Sequence, residues 1–339
     1  MDYKQSGVDI VAGETAVKNI KNIVKKTYNE NVLSELGSFG GLYALDLSRW
    51  KNPVMVSSTD GVGTKLIVAQ LAQRYDTVGQ DLVNHCVNDI FVQGAIPQFF
   101  NDYIGLARMN PATIEQIISG MTKACIENEM SLVGGEMAEM PGIYHNDDFD
   151  LVGTIVGLVE RDQIITGESI IEGDVVLGFA STGLHTNGYS LARKIVFEKM
   201  GLKIDSFVDE LGSTVAEALL KIHRSYLPPL RKWATPEYIH GMAHITGGGL
   251  KGNIKRVIPT GLCAEIDCTS WDVPPLYKWL VKNGEVPTDD AYSAFNMGIG
   301  FVVITSENHA NCIQRETDAI TIGKITKRVT DEAVMFCEL

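Results

Sequence analysis

The chain lacks the features that would send it to a membrane, to nucleic acid or to an oxidising compartment. No apolar run approaches the roughly 20 residues needed to span a bilayer. The polar opening, Met1 to Asp9, has no apolar signal core. Basic charge is scarce: 29 Lys and Arg stand against 42 Asp and Glu, a formal net charge of -13 with a pI near 5.0. A protein that reads a phosphate backbone needs a basic face to displace counterions, so no nucleic-acid partner is expected, and no membrane either. The six cysteines, Cys86, Cys125, Cys263, Cys268, Cys312 and Cys337, include no C-x-x-C pair, and no histidine is placed to complete a zinc site. They read as reduced thiols of a cytoplasmic enzyme. Short-period repeats and low-complexity tracts are absent as well.

What is present suits a globular enzyme. Of 339 residues, 45% are hydrophobic and 21% charged, and such a length predicts about two domains, each with its own core. Periodicity predicts a helix over 14–27, a mobile loop around Gly37, Gly40 and Gly41, a strand from Pro53 to Ser57 and a helix from Leu66 through Ala72. A long helix at 77–93, a strand at 98–106, a helix at 112–129 and strands at 131–134 and 150–159 follow. The chain turns polar from Asp162 to Asp174, which places a boundary near residue 164 and divides it into 1–164 and 165–339. The second half opens with a strand from Val175 to Ala180 and a helix through Met200, then reads as helix-rich to Tyr238. Strands are expected at Met242 to Ile245 and near 263–267, 298–304 and 320–325. Alternation of this kind implies an α/β or α+β fold.

Polar groups gather at several element ends. Asp60-Gly61-Val62-Gly63-Thr64-Lys65 sets a carboxylate, two glycines and a cation at a strand-to-helix junction. It matches neither the G-x-x-x-x-G-K-[ST] loop nor the G-x-G-x-x-G fingerprint, and reads equally as a phosphate cradle or an ordinary turn. On the helix at 77–93, positions 78, 82, 83, 86, 87, 90 and 91 are apolar and leave one polar stripe of Asp81, Asn84, His85, Asn88 and Asp89. Such a stripe must face water, partners or ligand, because each buried unpartnered group costs roughly 1–3 kcal/mol. Gly134-Gly135-Glu136 is either a plain turn or a backbone approach that aims a carboxylate at a ligand. Asp60, Asp89 and Glu136 offer the hard oxygens that hold Mg²⁺ against nucleotide phosphates, and Asp102 is a fourth acid. In the run Ser181 to Asn187, His185 is either a satisfied core histidine or a catalytic group, and Asn187 a helix cap or a ligand contact. Thr246-Gly247-Gly248-Gly249 is an anion nest or a tight turn.

Together these segments resemble the aminoimidazole ribonucleotide synthetase family of the PurM-like ATP-binding superfamily, over nearly the whole chain. The markers are Tyr3 with Gly7-Val8-Asp9-Ile10, Asp60 to Lys65, and D-x-x-x-x-G-A-x-P from Asp89 to Pro97. They continue with LVGGEMAEM from Leu132 to Met140, Pro141-Gly142-Ile143-Tyr144-His145, STGLHTNGYS from Ser181 to Ser190, and HITGGG from His244 to Gly249.

The resemblance implies a two-domain α/β (α+β) fold, with an N-terminal mixed domain whose strands pair across a homodimer and a C-terminal α/β sandwich. It implies ATP near the subunit interface, Mg²⁺ held by Asp60, Asp89 and Glu136, and phosphates cradled by Gly61, Gly63, Thr64 and Lys65. Gly135 and, on the first helix, Lys21 are further nucleotide contacts. His185 would assist phosphoryl or proton transfer beside Asp60 and Lys65, while Asn187, Thr246, Gly247, Gly248 and Gly249 would take the ribose phosphate side of the substrate. The family reaction turns formylglycinamidine ribonucleotide and ATP into aminoimidazole ribonucleotide, ADP and phosphate. Selenophosphate synthetases usually carry a reactive Cys or selenocysteine in the glycine-rich loop, and Gly37 to Gly41 has none. Hydrogenase-maturation relatives end in a reactive Cys, whereas Cys337 is followed by Glu338 and Leu339. A kinase of the thiamine monophosphate type and a non-catalytic ATP sensor are the competing readings.

Overall fold

The computed structural model describes residues 9–337, so Tyr3, Gly7 and Val8 of the first marker lie outside the described residues. The chain divides into two compact units. One holds residues up to Ile90 together with Ala95–Glu160, and the other Phe91–Gly94 together with Arg161 onward. The division falls at Glu160, and the short segment after Ile90 goes with the second unit.

The first unit runs α1 (Ile10–Val24), β1 (Pro53–Gly61), α2 (Lys65–Ala72), α3 (Asp76–Phe91), β2 (Ile96–Leu106), α4 (Pro111–Glu127), β3 (Ser131–Glu139) and β4 (Phe149–Glu160). Asp9 caps α1 by accepting from Ala12 N at 3.1 Å, and the helix buries Ala16, Ile20 and Val24, one per turn, against α4. Asn110 caps α4 in the same way and Pro111 occupies its first turn, where a missing N–H costs nothing. The helices α3 and α4 cross closely: a side-chain carbon at Gly79 would lie 2.1 Å from Ile117 O, and one at Gly120 2.0 Å from Asp76 O. Only glycine fits at that crossing.

The sheet has the order β1-β4-β2-β3, with β2 and β3 parallel and the other pairs antiparallel. Two strands outrun their expected lengths. β1 continues to Gly61, so Asp60 and Gly61 are ladder residues and not part of a loop, and Gly134, Gly135 and Glu136 lie inside β3 and not in a turn after it. Hydrogen bonding to a neighbouring strand outweighs the local turn preference of glycine here.

The second unit runs β5 (Val175–Ala180), α5 (Tyr189–Arg193), β6 (Phe207–Val208), β7 (Ser213–Thr214), α6 (Val215–Leu219), α7 (Leu227–Leu230), β8 (Gly241–His244) and α8 (Gly249–Ile254). It continues with β9 (Leu262–Asp267), α9 (Pro275–Gly284), α10 (Thr288–Ala294), β10 (Ile299–Thr305), α11 (Glu307–Glu316), β11 (Ile320–Lys327) and β12 (Val334–Cys337). Six strands form one mixed sheet in the order β12-β9-β11-β5-β10-β8. Val302 and Ile304 of β10 pack with Leu250 and Ile254 of α8, while the alternate residues Phe301 and Val303 point to the opposite face. Each such side chain, fully buried, contributes roughly 1.5–3 kcal/mol. The helix-rich expectation for the stretch before Tyr238 fails. The region holds a two-stranded hairpin and short helices only, and Pro228 and Pro229 remove the N–H groups a longer helix would need.

Candidate active site

Three side chains meet where β1 ends against α3. His85 Nε2 lies 2.9 Å from Asp60 Oδ2 and 3.5 Å from Asp89 Oδ2, and Ser58 Oγ donates to Asp89 Oδ2 at 3.2 Å. The three ligand atoms of Asp60, His85 and Asp89 lie within 4.8 Å of one another. Burial of His85 opposes its charge, yet the hydrogen bonds and charges of Asp60 and Asp89 prevail and raise its pKa to about 9. The His85 hydrogen bond in turn holds the Asp60 carboxyl below the ordinary range. Asp60 remains about half exposed, its side chain 48% accessible, so the cluster opens to solvent. Sequence reasoning gave His85 little weight; the available signal was its spacing of one helical turn from Asp89.

The other end of the polar stripe is sealed. Lys65 Nζ pairs with Asp81 Oδ2 at 2.7 Å, and neither side chain is exposed. Burial pulls the Lys65 amine below its ordinary pKa, against the pull of Asp81. Lys65, expected to cradle phosphate, therefore points into the unit and ties the start of α2 to α3. Asn84 accepts from Asn128 Nδ2 at 2.9 Å, which ties α3 to the end of α4. The Gly61 N–H, expected in the same cradle, donates to Asp60 Oδ1 at 2.7 Å, while Gly63 and Thr64 form the turn that leads into α2.

Glu136 does not join Asp60 and Asp89. Pairing places Asp60, Gly153, Asp102 and Gly135 in one row across the sheet, and three strand spacings put Asp60 about 14 Å from Gly135. Glu136 is exposed at the far edge and accepts from Met137 N at 2.8 Å. There it lines a cavity of about 680 Å³ between α1, the turn at Leu36 and Gly37, and β3, together with Lys21, Asp102, Gly134 and Gly135. Burial, reinforced by the Glu136 carboxylate, pushes Asp102 up to about 7. A side-chain carbon at Gly135 would lie 2.1 Å from Asp102 Oδ1, which is why glycine stands there. Lys21 pairs with Glu35 at 2.6 Å.

In the second unit the loop after β5 and the loop after β8 come together. A side-chain carbon at Gly247 would sit 3.4 Å from Asn187 Oδ1, so Asn187 borders the Thr246–Gly249 turn. Asn253 organises that turn: its Nδ2 lies 2.8 Å from Gly249 O and 3.3 Å from Thr246 O and Gly247 O. His185 is fully buried and holds a left-handed backbone (φ +61), a conformation that costs a non-glycine residue of order 1–3 kcal/mol and that gathers at functional sites. Its ring stacks on His223 at 4.0 Å, and His223 Nε2 lies 3.0 Å from His244 Nε2.

Comparison with known proteins agrees with this architecture. Residues 44–159 match the AIR synthase related protein N-terminal domain and residues 172–335 the C-terminal domain of the same family. The chain belongs to the AIR synthase related family, a PurM-like pair of domains. It is 48% identical over 330 residues to the phosphoribosylformylglycinamidine cyclo-ligase of Geotalea uraniireducens, covering 96% of this chain and 95% of that protein. Among solved structures, thiamine-monophosphate kinase from Stenotrophomonas maltophilia is similar with a TM-score of 0.70 at 16% identity, over 94% of this chain and 95% of that one. Hydrogenase maturation protein HypE in complex with ATP is similar with a TM-score of 0.63 at 17% identity, over 94% and 90%. These two likenesses speak for the fold.

Proposed function

We propose that the chain is an ATP-dependent cyclo-ligase of purine biosynthesis, converting formylglycinamidine ribonucleotide to aminoimidazole ribonucleotide with release of ADP and phosphate. The observation that carries this reading is the 48% identity to a protein of that name along 96% of the chain, through both units. An amide oxygen is a poor leaving group. Phosphorylating the formyl oxygen with ATP activates its carbon toward the internal amidine nitrogen, and loss of phosphate closes the ring.

Asp60 and Asp89 fit Mg²⁺, since two carboxylates converge beside a half-open surface with hard oxygens and no thiolate. When bound there, the ion would neutralise phosphate charge. Glu136 and Asp102 form a separate acidic edge, on the cavity of about 680 Å³, which suits a nucleotide with Lys21 as a contact. Gly63 and Thr64 are kept in the cradle; Lys65, sealed with Asp81, is given a structural part instead. Asn187 and the Thr246–Gly249 turn take the ribose phosphate side of the substrate, and His185 serves the transfer step. A homodimer fits the first unit's sheet, whose edge strand β1 leaves Met55 exposed. All six thiols are free and no helix among the described residues is long and apolar enough to cross a membrane, which suits a cytoplasmic setting.

The test is to incubate the purified chain with ATP, Mg²⁺ and formylglycinamidine ribonucleotide. One ADP and one inorganic phosphate should form per aminoimidazole ribonucleotide. A product that keeps the transferred phosphoryl group would replace the cyclo-ligase with a kinase.

A further inference from the structure

Asn296 lies between α10 and β10, 4% exposed, and its carboxamide is a hub. Its Oδ1 accepts from Ser181 Oγ at 2.9 Å, from Gly298 N at 2.9 Å and from Tyr277 Oη at 2.6 Å, while its Nδ2 donates to Gly183 O at 3.0 Å. Tyr277 Oη also lies 2.6 Å from Gly183 O and 3.0 Å from Ser181 Oγ. Ser181 N donates to Gly298 O at 2.8 Å. Both ends of the segment Ser181–Gly183 are thereby fixed. Between them, Thr182 N donates to His185 Nε2 at 3.2 Å. A ring nitrogen that accepts a hydrogen bond carries no proton, so a neutral ring holds its proton on Nδ1. The stacking of His185 on His223, 4.0 Å apart and 18° from parallel, also disfavours a second charge at that spacing.

We propose that Asn296, with Tyr277, is a positioning residue for His185. It clamps Ser181–Gly183 so that the Thr182 N–H holds His185 in the neutral Nδ1-protonated tautomer. Nε2 is then unavailable as a base, and Nδ1–H is the only proton the ring can offer. This deepens the cyclo-ligase reading and rests on it for the reaction served, whereas the tautomer is a property of the chain alone.

The experiment is ¹⁵N NMR of the full chain labelled at histidine, with His185→Gln used to assign the signal. At neutral pH, His185 should show a protonated Nδ1 and an unprotonated Nε2. In Asn296→Ala the two nitrogens should move toward a mixture of tautomers, and turnover should fall about 100-fold with the KM for ATP unchanged. Tyr277→Phe keeps the Asn296 bonds to Ser181, Gly183 and Gly298, so it should retain the tautomer and lose about threefold in turnover. An Nε2-protonated or doubly protonated His185 in the unaltered chain would overturn the proposal, as would an Asn296→Ala chain that keeps both tautomer and turnover. Should Asn296→Ala not fold, Asn296→Asp, which loses the donor to Gly183 O, takes its place: a shift toward mixed tautomers is expected, and an unchanged tautomer and turnover would overturn the proposal. The expected tautomer in a chain that forms no aminoimidazole would retire the reaction and leave the tautomer inference standing.

Discussion

Helix α3 carries two ionic clusters a turn apart, and they have opposite characters. Asp81 closes on Lys65 with both side chains wholly buried, while His85 and Asp89 close on Asp60, which stays about half exposed. One cluster joins α3 to the end of β1 and the other to the start of α2, and both draw on one polar stripe in the sequence. The sealed pair spends its charge internally and acts as a rivet. The open one keeps carboxylate surface in contact with solvent. Charge by itself therefore does not mark a functional group; access does.

The sharpest way to break this contrast is to remove one member of the rivet. Lys65→Met leaves Asp81 buried without its cation and should cost about 3–5 kcal/mol in urea unfolding, most of it recovered when Asp81→Leu is added. A loss in the single variant below about 1 kcal/mol would mean that the pair is not sealed. In the open cluster, Asp60→Asn should act chiefly on turnover, lowering it about 100-fold or more, with a smaller loss in melting temperature from the weakened contact to His85. Unchanged turnover would remove Asp60 from the proposed Mg²⁺ ligands.

Titration gives a third handle. The folded pKa of His85, about 9, lies above its unfolded value near 6.5. The stability gained by charging it is therefore whole below about pH 6.5 and drains away as pH rises through about 9. With chelator present, the melting temperature of the unaltered chain should fall across that window, and His85→Gln should lack the drop. The smallest effect is expected at the cavity. Glu35→Gln releases Lys21 from an exposed pair, so melting should not change while the KM for ATP falls modestly. An unchanged or higher KM would take Lys21 away from the nucleotide.

Much of the first unit was legible because its helices are long and periodic: α3 was expected at 77–93 and spans Asp76–Phe91, and α4 was expected at 112–129 and spans Pro111–Glu127. Asp60 and Asp89 were grouped as hard-oxygen acids together with Glu136, and of those three the fold brings these two together. The fate of Lys65 was not legible, since nothing in D-G-V-G-T-K says whether the lysine turns outward or toward a carboxylate on the next helix. Glu136 was grouped with Asp60 by residue type, but strand order puts β3 three strand spacings, about 14 Å, across the sheet from β1. Asn296 was invisible for a simpler reason: its partner Ser181 is 115 residues away, and a lone asparagine before a strand has no local signature.

The close fit of Gly135 against Asp102 has a bearing on how this protein can be altered. Position 135 stays closed even when the acid is changed: a methyl group there would lie 2.1 Å from the acid's Oδ1 and 2.8 Å from the backbone oxygen of Asp102, so trimming the acid removes one collision and leaves the other. A library that randomises position 135 should thus return glycine almost every time, whether the native aspartate or a smaller residue stands at 102.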